Sequence, residues 1–235
     1  MVTPESAEYM WACAAVVPVR AEAREGAEQL TQMLWGERCV RLQSVARWHK
    51  VRLTADGQEG WVDFKMVTAR PDTCKRPPRL SMSTETEKGL VLDGDRTIAH
   101  PLPLNRETLL LVYDIVEGAP YLWGGRNQFG FDCSGLTQVV FKLCGISLLR
   151  NASEQATQGT PVASLAEAEA GDLVFFNHAD IDPSRTHISH VGILLSNHEV
   201  MHCSGWVRRD EIDEFGIKVS PDEYTHHLAS IRRMV

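Results

Sequence analysis

Residues 120–145 read PYLWGGRNQFGFDCSGLTQVVFKLCG, and this stretch decides how the rest of the chain is read. A glycine-rich approach, Gly124-Gly125 and then Gly130, leads to Asp132 and Cys133. After the cysteine the pattern turns helical, because Leu136, Val139, Val140 and Leu143 recur at spacings of three and four. Asp132 is a good N-cap and Gly145 stands where such a helix would stop. The thiol of Cys133 is thus expected in the first turn of a buried helix. There the macrodipole favours thiolate, and a pKa below the usual value of about 8.5 is expected. This is the setting of a cysteine nucleophile. Free cysteine is also a common core residue, and the chain has five others: Cys13, Cys39, Cys74, Cys144 and Cys203. Cys144, near the end of the same helix, reads as packing. What separates Cys133 from these is a histidine-bearing segment downstream.

That segment is THISHVGILLSNHEVMHCSG, residues 186–205. It predicts two strands, about 190–195 and 200–203, joined around Ser196, Asn197 and His198. His190 opens the first strand and His202 lies in the second. A thiol nucleophile needs an imidazole to take its proton and return it to the leaving amine, and a third polar group to hold that imidazole in the right tautomer. His190 and His202 can fill these two roles only on one face. Side chains alternate along a strand, so a regular two-residue turn at Asn197-His198 would pair Ile193 with His202 and part the histidines. An odd loop or a bulge would bring them together, and one of these is expected.

These residues resemble the NlpC-type bacterial peptidoglycan endopeptidases, which are papain-like cysteine peptidases. The shared pieces are PYLWGG, FDCSGL, GISLLRNASEQ, GDLVFF, SHVGI and VMHCS, in that order across residues 101–235. The resemblance implies Cys133 as nucleophile, His190 as general base and His202 as the residue that orients it. It also implies a role for Tyr121 at the site, lining the cleft or reaching the developing oxyanion. The chain further resembles the branch that cleaves between gamma-D-glutamate and the diamino acid of murein peptides. In that branch the neighbours of the nucleophile, here Asp132 and Ser134, hold the free amine of an N-terminal L-alanine, as a carboxylate and a hydroxyl suit an ammonium group. Capping alone would also account for Asp132, at about 1 kcal/mol. The chain departs from relatives at Asn151-Ala152-Ser153, where an aspartate and then a serine are common.

The N-terminal part supports that branch. Short strand-like stretches at Ala15–Val19, Cys39–Gln43, Trp48–Leu53 and Gly60–Asp63 are separated by turns such as Ala55-Asp56-Gly57. The region resembles a bacterial SH3-like barrel, which in the recycling branch narrows the cleft. Glu28 and Glu37 are candidates for an acidic barrel residue at the amine site, and Trp61 is read as barrel core. Residues 70–88 are rich in proline, serine, threonine and charge, which reads as a linker. Residues 89–100 can supply one or two strands or the remnant of a second barrel. Thr108–Val116 is apolar at helical spacing and predicts the helix that enters the catalytic part.

Composition narrows the rest. The 235 residues, 43% hydrophobic, suffice for one or two globular domains. A net charge of −7 gives no electrostatic case for nucleic acid or anionic membranes. The apolar run Ala12–Val19 is short and follows Glu5 and Glu8, so it reads neither as a signal peptide nor as a membrane span. Six cysteines without regular spacing suggest reduced thiols. Nine histidines raise a metal site, but there is no CxxC or HExxH, and His202 and Cys203, adjacent on a strand, face opposite ways. His226 and His227 carry no readable role. The expectation is an α+β chain: an SH3-like barrel over 1–70, a linker or barrel remnant over 71–100, and a papain-like domain over 101–235, its helix-borne cysteine packed on an antiparallel sheet. It would be a monomeric cytoplasmic peptidase acting on a small murein peptide, with no metal or cofactor. Two alternatives stand beside it: an exported hydrolase of intact peptidoglycan, if a leader was trimmed, and a non-catalytic wall-binding module.

Overall fold

In the computed structural model, residues 8–74, 85–86, 89–92, 96–98, 101–177, 187–220 and 223–234 are described. The chain forms two units, one of residues 1–101 with 123–127, the other of 102–122 with 128–235.

In the first unit, alternation of apolar residues produces seven short strands: β1 (Glu8–Ala12), β2 (Val16–Arg20), β3 (Gln29–Leu34), β4 (Arg38–Val45), β5 (Trp48–Leu53), β6 (Glu59–Asp63) and β7 (Val67–Thr68). They join antiparallel in the order β3-β2-β6-β5-β4-β1-β7. All seven contribute to one core: Met10, Ala12, Val17, Val19, Met33, Cys39, Val51, Leu53, Val62 and Val67. Only a sheet curled on itself can aim one face of every strand at a single cluster. Trp61 is not part of that core. Gly60 and Val62 point inward, so alternation turns Trp61 outward and half-exposes it, while Trp48 is the buried tryptophan.

Residues 123–127, which include the short strand β11 (Arg126–Asn127), belong to this unit. Gln29 donates to the Trp123 carbonyl at 3.0 Å and the Trp123 indole donates to Glu28 at 2.8 Å. Arg126 donates to Glu37 at 3.0 and 3.2 Å and to the Gln32 carbonyl at 2.7 Å. Gly124 lies at φ +73°, and a Cβ there would stand 2.6 Å from the Gln29 carbonyl oxygen, so no other residue fits. The carboxylates of Glu28 and Glu37 are thus engaged within this unit.

One expectation is overturned here. Cys13 and Cys74 form a disulfide, while Cys39, Cys133, Cys144 and Cys203 are free thiols. The Cys13–Cys74 sequence separation of 61 carries no spacing signal. The fold brings them together because β1 pairs with β7, and Cys13 and Cys74 lie just beyond those strands. Also in this unit, β8 (Glu85–Thr86), β9 (Gly89–Leu92) and β10 (Arg96–Ile98) form a small antiparallel sheet.

The second unit opens with α1 (Arg106–Val116), capped by Asn105, whose side chain accepts from the Thr108 amide at 2.9 Å. The short β12 (Gly130–Phe131) precedes α2 (Cys133–Leu143), and α3 (Ala152–Gln155) follows. Then come β13 (Thr160–Val162), β14 (Leu173–Asn177), β15 (His190–Ser196), β16 (Glu199–Ser204), β17 (Trp206–Asp213), β18 (Gly216–Ser220) and β19 (Glu223–Arg233). They pair in the order β13-β19-β14-β15-β16-β17-β18, and β18 pairs again with β19. The eleven-residue β19 therefore serves both ends, and six strands close into a barrel. Its interior holds Val174, Phe176, Leu194, Val200, Ile212, Ile217 and Ile231. The helices α1 and α2 pack on β15 and α2 also on β16. Among the described residues no helix is long and apolar enough to cross a membrane.

Candidate active site

The helix that carries Cys133 starts where the sequence places it. Asp132 has extended backbone geometry, and its carboxylate accepts from the Gly135 amide at 2.6 Å. Cys133 is the first residue of α2, which ends at Leu143 before Gly145 at φ +77°. The thiol, 7% exposed, does not rest as a thiolate. Burial pushes its pKa up to about 11, the Asp132 charge adds to this, and hydrogen bonds at the Val191 and Ser134 backbone and the Arg150 charge only partly offset it. Desolvation of the charged form outweighs the helix N-terminus. The hydrogen bond at Val191 places the sulfur against the first residues of β15, next to His190.

The histidines meet through the register of β15 and β16. Gly192 pairs with His202, Ile193 with Met201 and Leu194 with Val200, but Ser196 pairs with Glu199. The two-residue turn at Asn197-His198 is present, and a bulge between Leu194 and Ser196 absorbs one residue. His190, Gly192 and His202 therefore share the barrel-interior face, and His190 Nε2 lies 2.8 Å from His202 Nδ1. Gly192 makes room between them. A Cβ there would stand 2.5 Å from Val200 Cγ2 and 3.2 Å from His202 Cβ.

The chain of polar groups extends further than the sequence suggested. His202 Nε2 lies 2.8 Å from Asp210 Oδ2 on β17, and Asp210 Oδ1 accepts from Arg208 at 2.7 Å. The register explains the contact, since His202 pairs with Arg208 and Val200 with Asp210. Asp210 is the diagonal neighbour of His202 on the same face. Burial raises the Asp210 pKa, but bonds from His202 and Arg208 outweigh it and hold the carboxyl below its usual range. On the other side, His226 of β19 lies tilted against His190 with ring centroids 4.3 Å apart, and Phe176 packs on both. Alternation along residues 206–213 beyond the Ser204-Gly205 turn was the signal that could have found Asp210. His187 and His198 are exposed, and His178 lies outside the described residues.

Beside Cys133, Asp132 and Ser134 are both buried and share one partner. Arg150 donates to Asp132 Oδ1 at 3.1 Å and to Ser134 Oγ at 2.9 Å, and its second nitrogen pairs with Asp132 Oδ2. A guanidinium thus already answers the Asp132 charge. Tyr121 is fixed by its amide, which donates to the Gly205 carbonyl at 2.8 Å. Burial first, and then the charges of Cys133 and Asp132, push its hydroxyl pKa up, so the phenol stands within electrostatic reach of the nucleophile. Among the described residues no three His, Cys, Asp or Glu side chains are grouped to hold a metal.

Comparison with known proteins matches this part of the chain. The model of the NlpC/P60 family matches residues 118–228, which include the helix, both histidines and Asp210. Over 172 residues the chain is 29% identical to the gamma-D-glutamyl-L-lysine dipeptidyl-peptidase of Bacillus subtilis, covering 73% of this chain and 55% of that protein. Over 116 residues it is 33% identical to the Bacillus cereus protein of the same name, covering 49% of this chain and 32% of that one. The chain thus spans about half or less of these relatives. Among solved structures, an NlpC/P60 endopeptidase of Photobacterium damselae superposes with a TM-score of 0.59 at 15% identity, covering 90% of this chain and 68% of that one. Helix-borne cysteine, bulged histidine hairpin and family match fall on the same residues: over residues 118–228 the chain matches the NlpC/P60 family.

Proposed function

We propose that this chain is a papain-like cysteine endopeptidase that cleaves the gamma-D-glutamyl–diamino acid bond of murein peptides bearing a free N-terminal L-alanine. The observation that carries the reading is the placement of Cys133 at the start of α2, which packs on β15 where His190 lies 2.8 Å from His202. Cys133 Sγ attacks the amide carbonyl after gamma-D-glutamate and its proton passes to His190 Nδ1. The tetrahedral oxyanion is met by the backbone amide of Cys133 at the helix start and by the Tyr121 hydroxyl. As the intermediate collapses, His190 returns the proton to the departing amine. Water, deprotonated by His190, then hydrolyses the thioester and frees the thiol. No cofactor enters these steps. Because the thiol rests protonated, His190 works as a base during attack rather than as half of a standing ion pair. Ser134 and Asp132 receive the substrate ammonium, and Arg150 limits how much of the Asp132 charge is left for it.

The test is hydrolysis of L-Ala-gamma-D-Glu-diaminopimelate beside its N-acetylated form, with Cys133→Ala as control. Cleavage confined to the free-amine peptide and lost in the variant is expected. Equal cleavage of both would remove the amine pocket and keep the peptidase. Cleavage of neither would overturn the reading. The SH3-like identity of the N-terminal unit and a recycling role are part of this proposal, as is the single-chain state. One observation favours an exported hydrolase of intact peptidoglycan over a cytoplasmic one: the Cys13–Cys74 disulfide, a bond that persists in oxidising compartments.

A further inference from the structure

We propose that Asp210 is a positioning residue of the catalytic machinery, which fixes the tautomer of His202 and, through it, that of His190. The proposal rests on the peptidase reading for its kinetic consequences, but not for its structural one. A carboxylate only accepts hydrogen bonds, so the 2.8 Å contact with Asp210 puts the His202 proton on Nε2. The Nδ1 of a neutral His202 is then an acceptor. The 2.8 Å contact between the rings can form only if His190 donates from its Nε2. Its Nδ1 is then unprotonated, and that is the nitrogen that takes the thiol proton. With the opposite tautomer of His202 the chain reverses: Nδ1–H of His202 donates to His190 Nε2, and the His190 proton moves to Nδ1, where it blocks the base. Two imidazoles in series are ambiguous by themselves. The carboxylate at the end of the chain removes the ambiguity.

The setting suits this task. Asp210 is mostly buried, with 14% of its side chain exposed, and His202 is 2% exposed, so water does not compete well for the bond. Arg208 engages the other carboxylate oxygen and sets the plane of the group. Among the described residues, the ionisable groups around the two rings are Cys133 on α2, Arg208 and Asp210 on β17 and His226 on β19. Among the described residues none of the others accepts from His202 Nε2.

The experiment compares the full chain with Asp210→Asn, Asp210→Glu and Cys133→Ala by two readouts. Imidazole nitrogen–proton NMR at pH 8 reports the tautomers directly. Both rings protonated on Nε2 are expected in the native chain, and a tautomer mixture at His202 in Asp210→Asn, whose amide can donate as well as accept. The kinetic readout is the pH profile of peptide hydrolysis. A loss in kcat on the order of 10- to 100-fold is expected for Asp210→Asn, as for other residues that orient a reacting side chain through one partner. KM should stay within about twofold, and Asp210→Glu should recover part of the loss. The acid limb should move to lower pH, because the imidazolium loses a negative charge at the end of its chain and gives up its proton more readily. Unchanged tautomers in Asp210→Asn, or an unchanged kcat, would overturn the proposal. If the native chain cleaves no more peptide than Cys133→Ala, the peptidase reading falls instead, and the tautomer spectra still decide the role of Asp210.

Discussion

At Cys133 two physical effects oppose each other and the structure decides between them. A helix N-terminus contributes roughly half a unit of positive charge, but a thiolate at 7% exposure loses its hydration. The balance raises the pKa to about 11. Alkylation by iodoacetamide should therefore climb about tenfold per pH unit between 7 and 10, following the thiolate fraction. A rate already on its plateau at pH 7 would show a standing thiolate–imidazolium pair and sink this account. The other free thiols behave alike, with burial pushing Cys144 to about 11 and Cys39 and Cys203 to about 12. Each keeps its proton in the folded chain at a pH where the unfolded chain has lost it. The folded state then binds more protons, so stability is intact below pH 9 and falls as pH rises toward 11. Urea unfolding at pH 8 and pH 10 checks the sign.

The elements place these residues, and the hairpin of β15 and β16 shows how narrowly. One bulged residue converts opposite faces into one face, and Gly192 leaves the space that the His202 ring needs. Gly192→Ala would drive a methyl group to 2.5 Å from Val200 Cγ2 and 3.2 Å from His202 Cβ. Overpacking of this kind costs about 1–3 kcal/mol, and displacement of His202 should lower kcat by on the order of 100-fold. Adding Val200→Ala should restore part of the stability, because it removes the nearer clash. A variant that is fully active and as stable as the native chain would contradict the geometry. The need for a bulge was legible in the sequence because strand alternation is strict: two histidines twelve apart across a two-residue turn cannot share a face without one. Asp210 was only half legible: alternation along residues 206–213 marks its strand, but an acidic residue there reads as solvated surface until the strand is paired. The strand β3 was missed for a related reason. Its Thr31 and Gln32 are buried, and the partners that satisfy Gln32, at Arg126 and Asn127, lie more than ninety residues away. The strand β19 was missed because it pairs with three strands, with register shifts against β14 and β18, which blurs its period.

At the scale of the molecule, the first unit is held by connections that local patterning does not carry. Residues 123–127 complete it through the buried Arg126–Glu37 pair, in which either charge alone would be costly to leave unpaired. The Cys13–Cys74 bond closes the same unit at its other margin, tying the residue after β1 to the residue beyond β7. A cross-link over a separation of 61 residues removes loop-closure freedom from the unfolded chain, worth about 4 kcal/mol on the chain-entropy scale and typically about 2–4. Cys13→Ser/Cys74→Ser, or native chain in excess reductant, should therefore unfold at lower urea by that amount. The four remaining cysteines are buried free thiols, so blocking with a thiol reagent under native conditions should leave the difference unchanged. The same measurement bears on where the protein works. A bond worth several kcal/mol would leave the first unit marginal in a reducing cytosol, since whole domains are stable by only about 5–15 kcal/mol. Equal urea midpoints with and without reductant would mean that the bond adds nothing, and the argument for an oxidising compartment would go with it.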